Sequence, residues 1–167
     1  MISPNIRRPH SLWRQHTHWA AATDLFAATS EALALLWSAR RLAFAPADGT
    51  DWLAACTHLL DVAAESLALP LPPAAERVTT AFKTGGVQAA GASSVSAMVA
   101  NHTSLVESIR GLARTAHHSG DDAAAAIPLR EQIGDLQLQL ARHKTRLRKA
   151  LGGIGATPAA DALTQGA

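Results

Sequence analysis

Three histidines stand at positions where a helix would turn them toward a protein core. His102 and His143 each fall within a run of apolar residues spaced three and four apart, and His16 falls within a third run of this kind. Neutral imidazoles that face one another across a helical seam can bind zinc, copper or nickel. These three residues are therefore candidate metal ligands. The alternatives for His102 and His143 are a polar layer that fixes the register of two helices, or a partly exposed seam in which the ring edges contact water.

The residues around these histidines argue against one class of metal site. A carboxylate-bridged di-iron bundle needs inward glutamates and a Glu-x-x-His pattern, but Val99 and Leu140 stand three residues before His102 and His143. We therefore do not expect a di-iron site of this class, and the sequence indicates no other cofactor beyond the metal ion that the histidines could bind. If the two rings are buried together, protonation would place like charges in a low dielectric. The pKa of the pair should then lie below about 6.5, and acid should loosen the fold.

The two apolar runs around His102 and His143 predict a long antiparallel helical hairpin. Their steps of three and four are typical of a helical seam, and a polar turn-forming segment, 117–122, separates them. Folding the chain back between Asp122 and Ala123 pairs Ala116 with Leu129 and His102 with His143. The core-type positions are Val95, Met98, His102, Leu105, Ile109, Leu112 and Ala116, and then Leu129, Ile133, Leu136, Leu140, His143, Leu147, Ala150 and Ile154.

A second candidate site is the basic end of the last predicted helix, where no acid interrupts the cations. The residues are Arg142, Lys144, Arg146, Arg148 and Lys149. Such a stripe can bind the phosphates of DNA or RNA. The alternative is that the cations complement the helix dipole, because Glu131 and Asp135 stand near the opposite end of the helix. Interleaved aromatic residues and a helix-turn-helix pattern, which would favour nucleic acid, do not stand out in this stretch.

Trp13 and Arg14 are candidate partner-binding residues. Trp13 lies off the main apolar stripe of the first predicted helix, and tryptophan and arginine are enriched among the residues that dominate binding energy at interfaces. Trp19 and Trp52 lie on apolar stripes and are expected in the core. Cys56 is expected to be a small buried residue rather than a reactive thiol.

Composition indicates an all-helical protein. The chain has 167 residues, with abundant alanine, no tyrosine and three phenylalanines, so strand-favouring residues are scarce. The net charge of +2 is too small to indicate nucleic-acid binding by itself. One cysteine excludes an internal disulfide and fits a reducing compartment. We expect a cytoplasmic protein with no membrane contact, because no secretory signal or uncharged transmembrane stretch is evident. Abundant arginine and alanine indicate a GC-rich bacterial source.

Helix signals divide the chain into three parts: a flexible arm (1–10), one helical domain (11–154) and a disordered tail (155–167). Helices are predicted from Ser11 to about Phe44, from a cap at Asp48 or Thr50 to Leu67, and from Pro73 to Lys83 with Val78 and Phe82 inward. A weakly helical lead-in, 87–94, precedes the hairpin. The first helix has the apolar stripe Leu12, His16, Trp19, Ala22, Phe26, Thr29, Leu33 and Leu36, widened by Leu25, Ala32 and Trp37.

The sequence therefore predicts an up-and-down bundle of four long helices and one short connecting helix. Walker, Rossmann and zinc-ribbon motifs are absent from the sequence, and we recognise neither catalytic residues nor a site for a small-molecule substrate. We expect a non-catalytic interaction or assembly module that acts through contacts with a partner protein or with itself. The alternatives are a small accessory nucleic-acid-binding protein and a histidine-based metal-binding bundle.

Overall fold

The fold is described from a computed structural model that covers residues 7–44, 51–119 and 123–153. In the first helix, side chains are described from Ala20 onward, and those of residues 87, 88, 90, 123 and 153 are not described. Five α-helices account for nearly all of these ranges, so the predicted all-α class is confirmed. They are α1 (Arg7–Phe44), α2 (Trp52–Ala68), α3 (Leu71–Thr84), α4 (Val87–His118) and α5 (Ala126–Gly153), with a 3-10 turn at Ala123–Ala125.

The helices pack as a bundle in which α1 contacts α2 and α5, α2 contacts α4, and α4 contacts α5. α3 is the short helix predicted from the sequence, and it packs against α4 and α1. A turn at Leu69 and Pro70 separates it from α2. Pro70 has no N–H group and cannot extend the hydrogen-bond ladder of α2, which explains why α2 ends here.

Local signals set several helix ends. Asp51 caps α2 by accepting a hydrogen bond from the Ala54 N–H at 3.2 Å, whereas the predicted caps Asp48 and Thr50 lie outside the described residues. Gly85 and Gly86, with φ of 72° and 65°, form the turn into α4, and other residues rarely adopt such values. α4 starts directly after this turn, so the segment 87–94 is helical. α1 starts four residues before Ser11.

The seams of α4 and α5 are buried as predicted, from Val95 to Ala116 and from Leu129 to Leu147. Ala150 is half-buried and Ile154 lies outside the described residues. The core has two apolar clusters. The larger one contains residues such as Leu36, Leu60 and Leu140, and the smaller one contains residues such as Leu25, Val95 and Leu147. His102 and His143 lie between the two clusters along their helices.

The inward face of α1 matches the predicted stripe in part: Ala22, Leu25, Thr29, Ala32 and Leu36 are buried as predicted, and Phe26 and Leu33 are half-buried. Its buried residues are mostly alanine, and the full set is Ala21, Ala22, Leu25, Ala28, Thr29, Ala32, Leu36, Ala39 and Ala43. Trp37 is 61% exposed, so the prediction that it widens the core stripe is wrong. α1 lies close to α2, since the Cys56 thiol contacts the Ala39 carbonyl oxygen at 3.4 Å. Such proximity favours small side chains on the inward face and leaves the larger ones outside.

Of two further residues that were predicted to lie in the core, Phe82 is exposed and Cys56 is buried. Phe82 is 47% exposed, so the prediction that it points inward is wrong, and Ala81 is the buried neighbour of Val78 in α3 instead. Cys56 is buried as predicted, and burial raises the pKa of its thiol to about 11. A thiol with so high a pKa is a poor nucleophile near neutral pH.

One stretch, Trp52–Thr84, has the length and apolar composition of a membrane-spanning segment. The turn at Leu69 and Pro70 divides it into α2 and α3, and α2 buries Leu60 and Leu67 in the bundle core. The core helix of a bundle produces the same signal as a membrane span. The composition of this stretch is therefore only weak evidence for membrane insertion.

Candidate functional site

His102 of α4 and His143 of α5 are in direct contact and completely buried. His102 Nδ1 lies 3.0 Å from His143 Nε2, and the two ring centroids are 5.1 Å apart with the rings tilted by 58°. This is the contact expected from the spacing of the two seams. We call the two rings, together with Asn101 and Leu67, the histidine layer.

The neighbours of the histidine layer determine where its protons lie. His102 Nε2 is 2.6 Å from the Leu67 carbonyl oxygen, which can only accept, so this nitrogen carries a proton. In a neutral ring His102 Nδ1 then accepts from His143 Nε2–H. His143 Nδ1 in turn accepts from the Asn101 side-chain amide at 3.0 Å. All four ring nitrogens are therefore hydrogen-bonded while both rings remain neutral.

This hydrogen-bond chain joins three helices. Leu67 lies in the last turn of α2, where backbone carbonyls have no partner within the helix. His102 supplies the missing donor from α4, and His143 extends the chain to α5. A buried polar group without a partner would cost about 1–3 kcal/mol, so the chain favours one packing arrangement of the three helices over others.

Burial lowers the pKa of both histidines. For His143 the pKa falls from 6.5 to about 4, first because of burial and then because of the positive charges of His102 and Arg146. For His102 burial lowers the pKa, and the hydrogen bond to the Leu67 carbonyl partly opposes this effect. Protonation of both rings would also place two N–H groups against each other across the 3.0 Å contact between His102 Nδ1 and His143 Nε2.

Asn101→Asp should raise the pKa of His143 by about 1 unit or more, because a carboxylate beside His143 Nδ1 favours the protonated ring. The titration of the His143 ring, followed by NMR, measures this shift directly. Asn101→Ala is the matched control, since it removes the amide without adding a charge. Equal titration curves for the two variants would show that Nδ1 does not face residue 101.

Two of the three predicted metal ligands, His102 and His143, are in contact in the structure. The facing nitrogens of His102 and His143 are engaged with each other, and the described residues contain no group of three His, Cys, Asp or Glu side chains suited to a metal ion. The side chain of His16 lies outside the described residues. A metal role for these histidines stays a prediction.

The structure divides the basic end of α5 into two groups. Arg142, Arg146 and Lys149 are exposed, and the last two line a shallow groove of about 590 Å³ with residues of α4 such as Ser94. Lys144 and Arg148 turn the other way, toward the Phe26 ring of α1. Their cationic groups lie 5.3 Å and 5.8 Å from its centroid. In the part of the chain that the structure describes, none of these five cations forms an ion pair.

Sequence reasoning missed a surface formed by α1 and α5. Trp37 and Phe44 are 61% and 55% exposed, and with Arg40 and Arg41 they line a cavity of about 380 Å³. Two guanidinium groups stack on the Phe44 ring: Arg130 at 4.4 Å and Arg40 at 5.2 Å from the centroid. The signal was present at positions 37, 40, 41 and 44, which are spaced as neighbours on one helix face.

These contacts define a continuous strip, which we call the α1/α5 face. The end of α1 lies beside the start of α5, where Arg40 packs 3.2 Å from the point at which a Cβ on Gly134 would stand. Leu138 and Ala141 follow Gly134 at helical spacing and are exposed. The members of the face are Phe26, Leu33, Trp37, Arg40, Arg41 and Phe44 of α1, and Arg130, Gly134, Leu138, Ala141, Lys144 and Arg148 of α5.

Trp13 and Arg14 are the predicted partner-binding residues, and their side chains lie outside the described residues. Their position relative to the α1/α5 face is therefore not described.

Comparison of the chain with protein-family models, with curated proteins and with solved structures finds no match.

Proposed function

We propose that this protein is a non-catalytic interaction module that binds another protein through its α1/α5 face. The observation that carries the proposal is the exposure of Trp37 and Phe44 beside Arg40 and Arg41. Exposed aromatic residues among arginines are typical of binding hot spots and are unusual on a surface that contacts only water. No reaction is assigned to the protein.

Charge favours a different protein over a second copy as the partner on this face. The α1/α5 face contains the cations Arg40, Arg41, Arg130, Lys144 and Arg148. A symmetric dimer would bring each such cluster against itself, and like charges at an interface are costly. We therefore place self-association through this face second to binding of another protein.

The test uses three forms of the purified protein. Immobilised wild-type protein retains the partner from an extract of the source cells, and the retained protein is identified and purified for binding measurements. Trp37→Ser should weaken binding at least tenfold, or about 1.4 kcal/mol. Leu69→Ser is the control, since Leu69 is 79% exposed but lies at the turn after α2. Equal binding by all three forms would contradict the proposal.

The second candidate function is nucleic-acid binding by the other group of cations. Arg142, Arg146 and Lys149 are exposed and have no acidic partner among the described residues, which leaves them available to phosphates. They lie on a different part of α5 from Lys144 and Arg148. The two candidate functions therefore use separate surfaces and can be tested separately.

If this surface binds DNA, replacing Arg142, Arg146 and Lys149 by glutamine should reduce the slope of log affinity against log salt by about 2 to 3. Each lost phosphate contact contributes about 0.9 to that slope. Fluorescence anisotropy with a short duplex measures it. The control replaces Lys83, Arg110 and Arg114, which are exposed on α3 and α4, by glutamine. An identical loss in both triple variants would show that only net charge matters.

A further inference from the structure

We infer that the α1/α5 face binds an acidic amphipathic helix of a partner protein. This inference rests on the proposed function and adds the chemistry of the partner. Three features of the face lead to it: an apolar ridge, a strip of small residues beside that ridge, and a cluster of cations that outnumbers the acids at the edge of the face.

The ridge runs along α1. Phe26, Leu33, Trp37 and Phe44 recur at spacings of seven, four and seven residues, so they lie along one side of the helix. The ridge spans about 27 Å, because an α-helix rises 1.5 Å per residue. Trp37 and Phe44 are exposed, whereas Phe26 and Leu33 are half-buried and pack in part against the core. A partner helix of about 18 residues has the same length as the ridge and would make its main apolar contact at the end formed by Trp37 and Phe44.

The strip of small residues lies across from the ridge on α5. Gly134 and Ala141 are two helical turns apart on the side of α5 that faces α1. Ala141 is exposed, and Leu138 at the outer edge is 54% exposed. The Arg40 guanidinium fills the space over Gly134. The cavity of about 380 Å³ beside Trp37, together with the exposed Ala141 and Leu138, offers apolar surface to the stripe of a third helix.

The cations of the face predict that the partner carries negative charge. Five basic residues belong to the α1/α5 face and outnumber the two acids at its outer edge, whereas the acids of α1 point elsewhere. Asp24 pairs with Arg77 of α3 at 2.8 Å, and Glu31 lies two turns further along that same side of α1. On α5, Glu131 lies seven residues before Leu138 and therefore along the same outer edge of the face, with Asp135 four residues further on. A partner with carboxylates flanking its apolar stripe complements this pattern.

The arrangement of aromatic rings favours a protein helix over a single-stranded nucleic acid. Proteins that bind single strands stack successive bases on free aromatic faces. Here the Phe26 ring has Lys144 and Arg148 within 5.8 Å, and the Phe44 ring has Arg130 at 4.4 Å. The protein's own cations therefore compete for these rings, and Trp37 is the aromatic residue of the face without such a partner.

The experiment measures binding of fluorescent peptides to the intact protein. The test peptide is an 18-residue helix with leucines on one stripe and glutamates elsewhere. One control peptide replaces every glutamate by glutamine, and another scrambles the order so that the stripe is lost. A short single-stranded oligonucleotide serves as a polyanion without an apolar stripe. Each is titrated at low and moderate salt.

We expect the acidic helical peptide to bind at least tenfold more tightly than either control peptide and to weaken as salt rises. Trp37→Ala should weaken binding at least tenfold, and Arg41→Gln should weaken it about threefold. Arg114→Gln, which removes an exposed arginine from α4, should have no effect. Circular dichroism of each variant establishes that it is folded.

Three outcomes would overturn the inference. The first is equal binding of the glutamine peptide, which would show that charge does not select the partner. The second is preference for the oligonucleotide with the same dependence on Trp37. The third is no binding of the acidic peptide up to about 1 mM. The first and third leave the proposed function standing if a natural partner still depends on Trp37, so the two failures can be distinguished.

Discussion

The free energy of unfolding is expected to fall by about 2 kcal/mol or more between pH 7 and pH 5, because the histidine layer resists protonation. The pKa of His143 is about 4 in the folded protein, compared with its ordinary value of 6.5. The unfolded chain therefore binds protons more readily than the native protein in this range. Stability from this residue is complete above pH 6.5 and is lost as the pH falls toward 4.

The size of the effect follows from the shift. One pKa unit corresponds to about 1.4 kcal/mol, so His143 alone accounts for roughly 3 kcal/mol at full protonation and about 2 kcal/mol by pH 5. The lowered pKa of His102 acts in the same direction. Urea unfolding at a series of pH values, followed by circular dichroism, measures the loss.

The control for the acid prediction removes both titrating rings. In the double variant His102→Leu and His143→Leu, the free energy of unfolding should change much less between pH 7 and pH 5. His58→Gln, at an exposed histidine of α2, should keep the wild-type dependence. A double variant with the wild-type loss would show that other groups cause the acid sensitivity.

Trp52→Ala should destabilise the protein by about 3–5 kcal/mol, whereas Trp37→Ala should cost less than about 1 kcal/mol. Trp52 is 8% exposed and belongs to the larger apolar cluster, so its removal leaves a cavity. Trp37 is mostly in contact with solvent. The same substitution at two tryptophans therefore separates a core residue from a surface residue, and urea unfolding measures both.

Trp52→Phe extends this comparison in case Trp52→Ala does not fold, since it should cost clearly less than the alanine variant. The contradicting result would be a large loss for Trp37→Ala. That result would place Trp37 in the core, as the apolar pattern of the sequence predicts, and would remove the central residue of the α1/α5 face.

The sequence predicted α4 and α5 well because their core positions are large. Leucine, isoleucine and valine at spacings of three and four leave one assignment of the buried side, and every described seam position up to Leu147 is buried. The two histidines interrupt the seams once each and meet in the structure. Their hydrogen bonds to Leu67 and Asn101 could not be predicted, since they depend on how α2 ends beside α4.

The sequence predicted the length of α1 and most of its inward face, but it did not predict the edge of that face. Alanine is found on buried and exposed helix faces alike, so a helix that buries alanines carries little information about which side is inward. Choosing the bulky residues as the core assigned Trp37 to the wrong side. The close contact with α2 determines which side of α1 is buried. That contact joins Ala39 and Cys56, which are 17 residues apart in the sequence.

The α1/α5 face could be predicted only in part for the same reason. Trp37, Arg40, Arg41 and Phe44 form one stripe in the sequence, yet their exposure depends on the rotation of α1. Of the α5 members, only Lys144 and Arg148 belonged to the predicted basic end of the helix. Helical spacing already separates these two from Arg142, Arg146 and Lys149, but the neighbours of each group, Phe26 for one and α4 for the other, depend on how the helices pack.

A charge exchange tests the central claim, that the α1/α5 face selects an acidic helix, most directly. The double variant Arg41→Glu and Arg148→Glu reverses two exposed charges of the face. Its affinity is measured for the acidic 18-residue peptide and for a peptide with lysine in place of each glutamate. We predict that the variant loses at least tenfold in affinity for the acidic peptide and binds the lysine peptide more tightly than the wild type does. Unchanged preference for the acidic peptide would contradict the account.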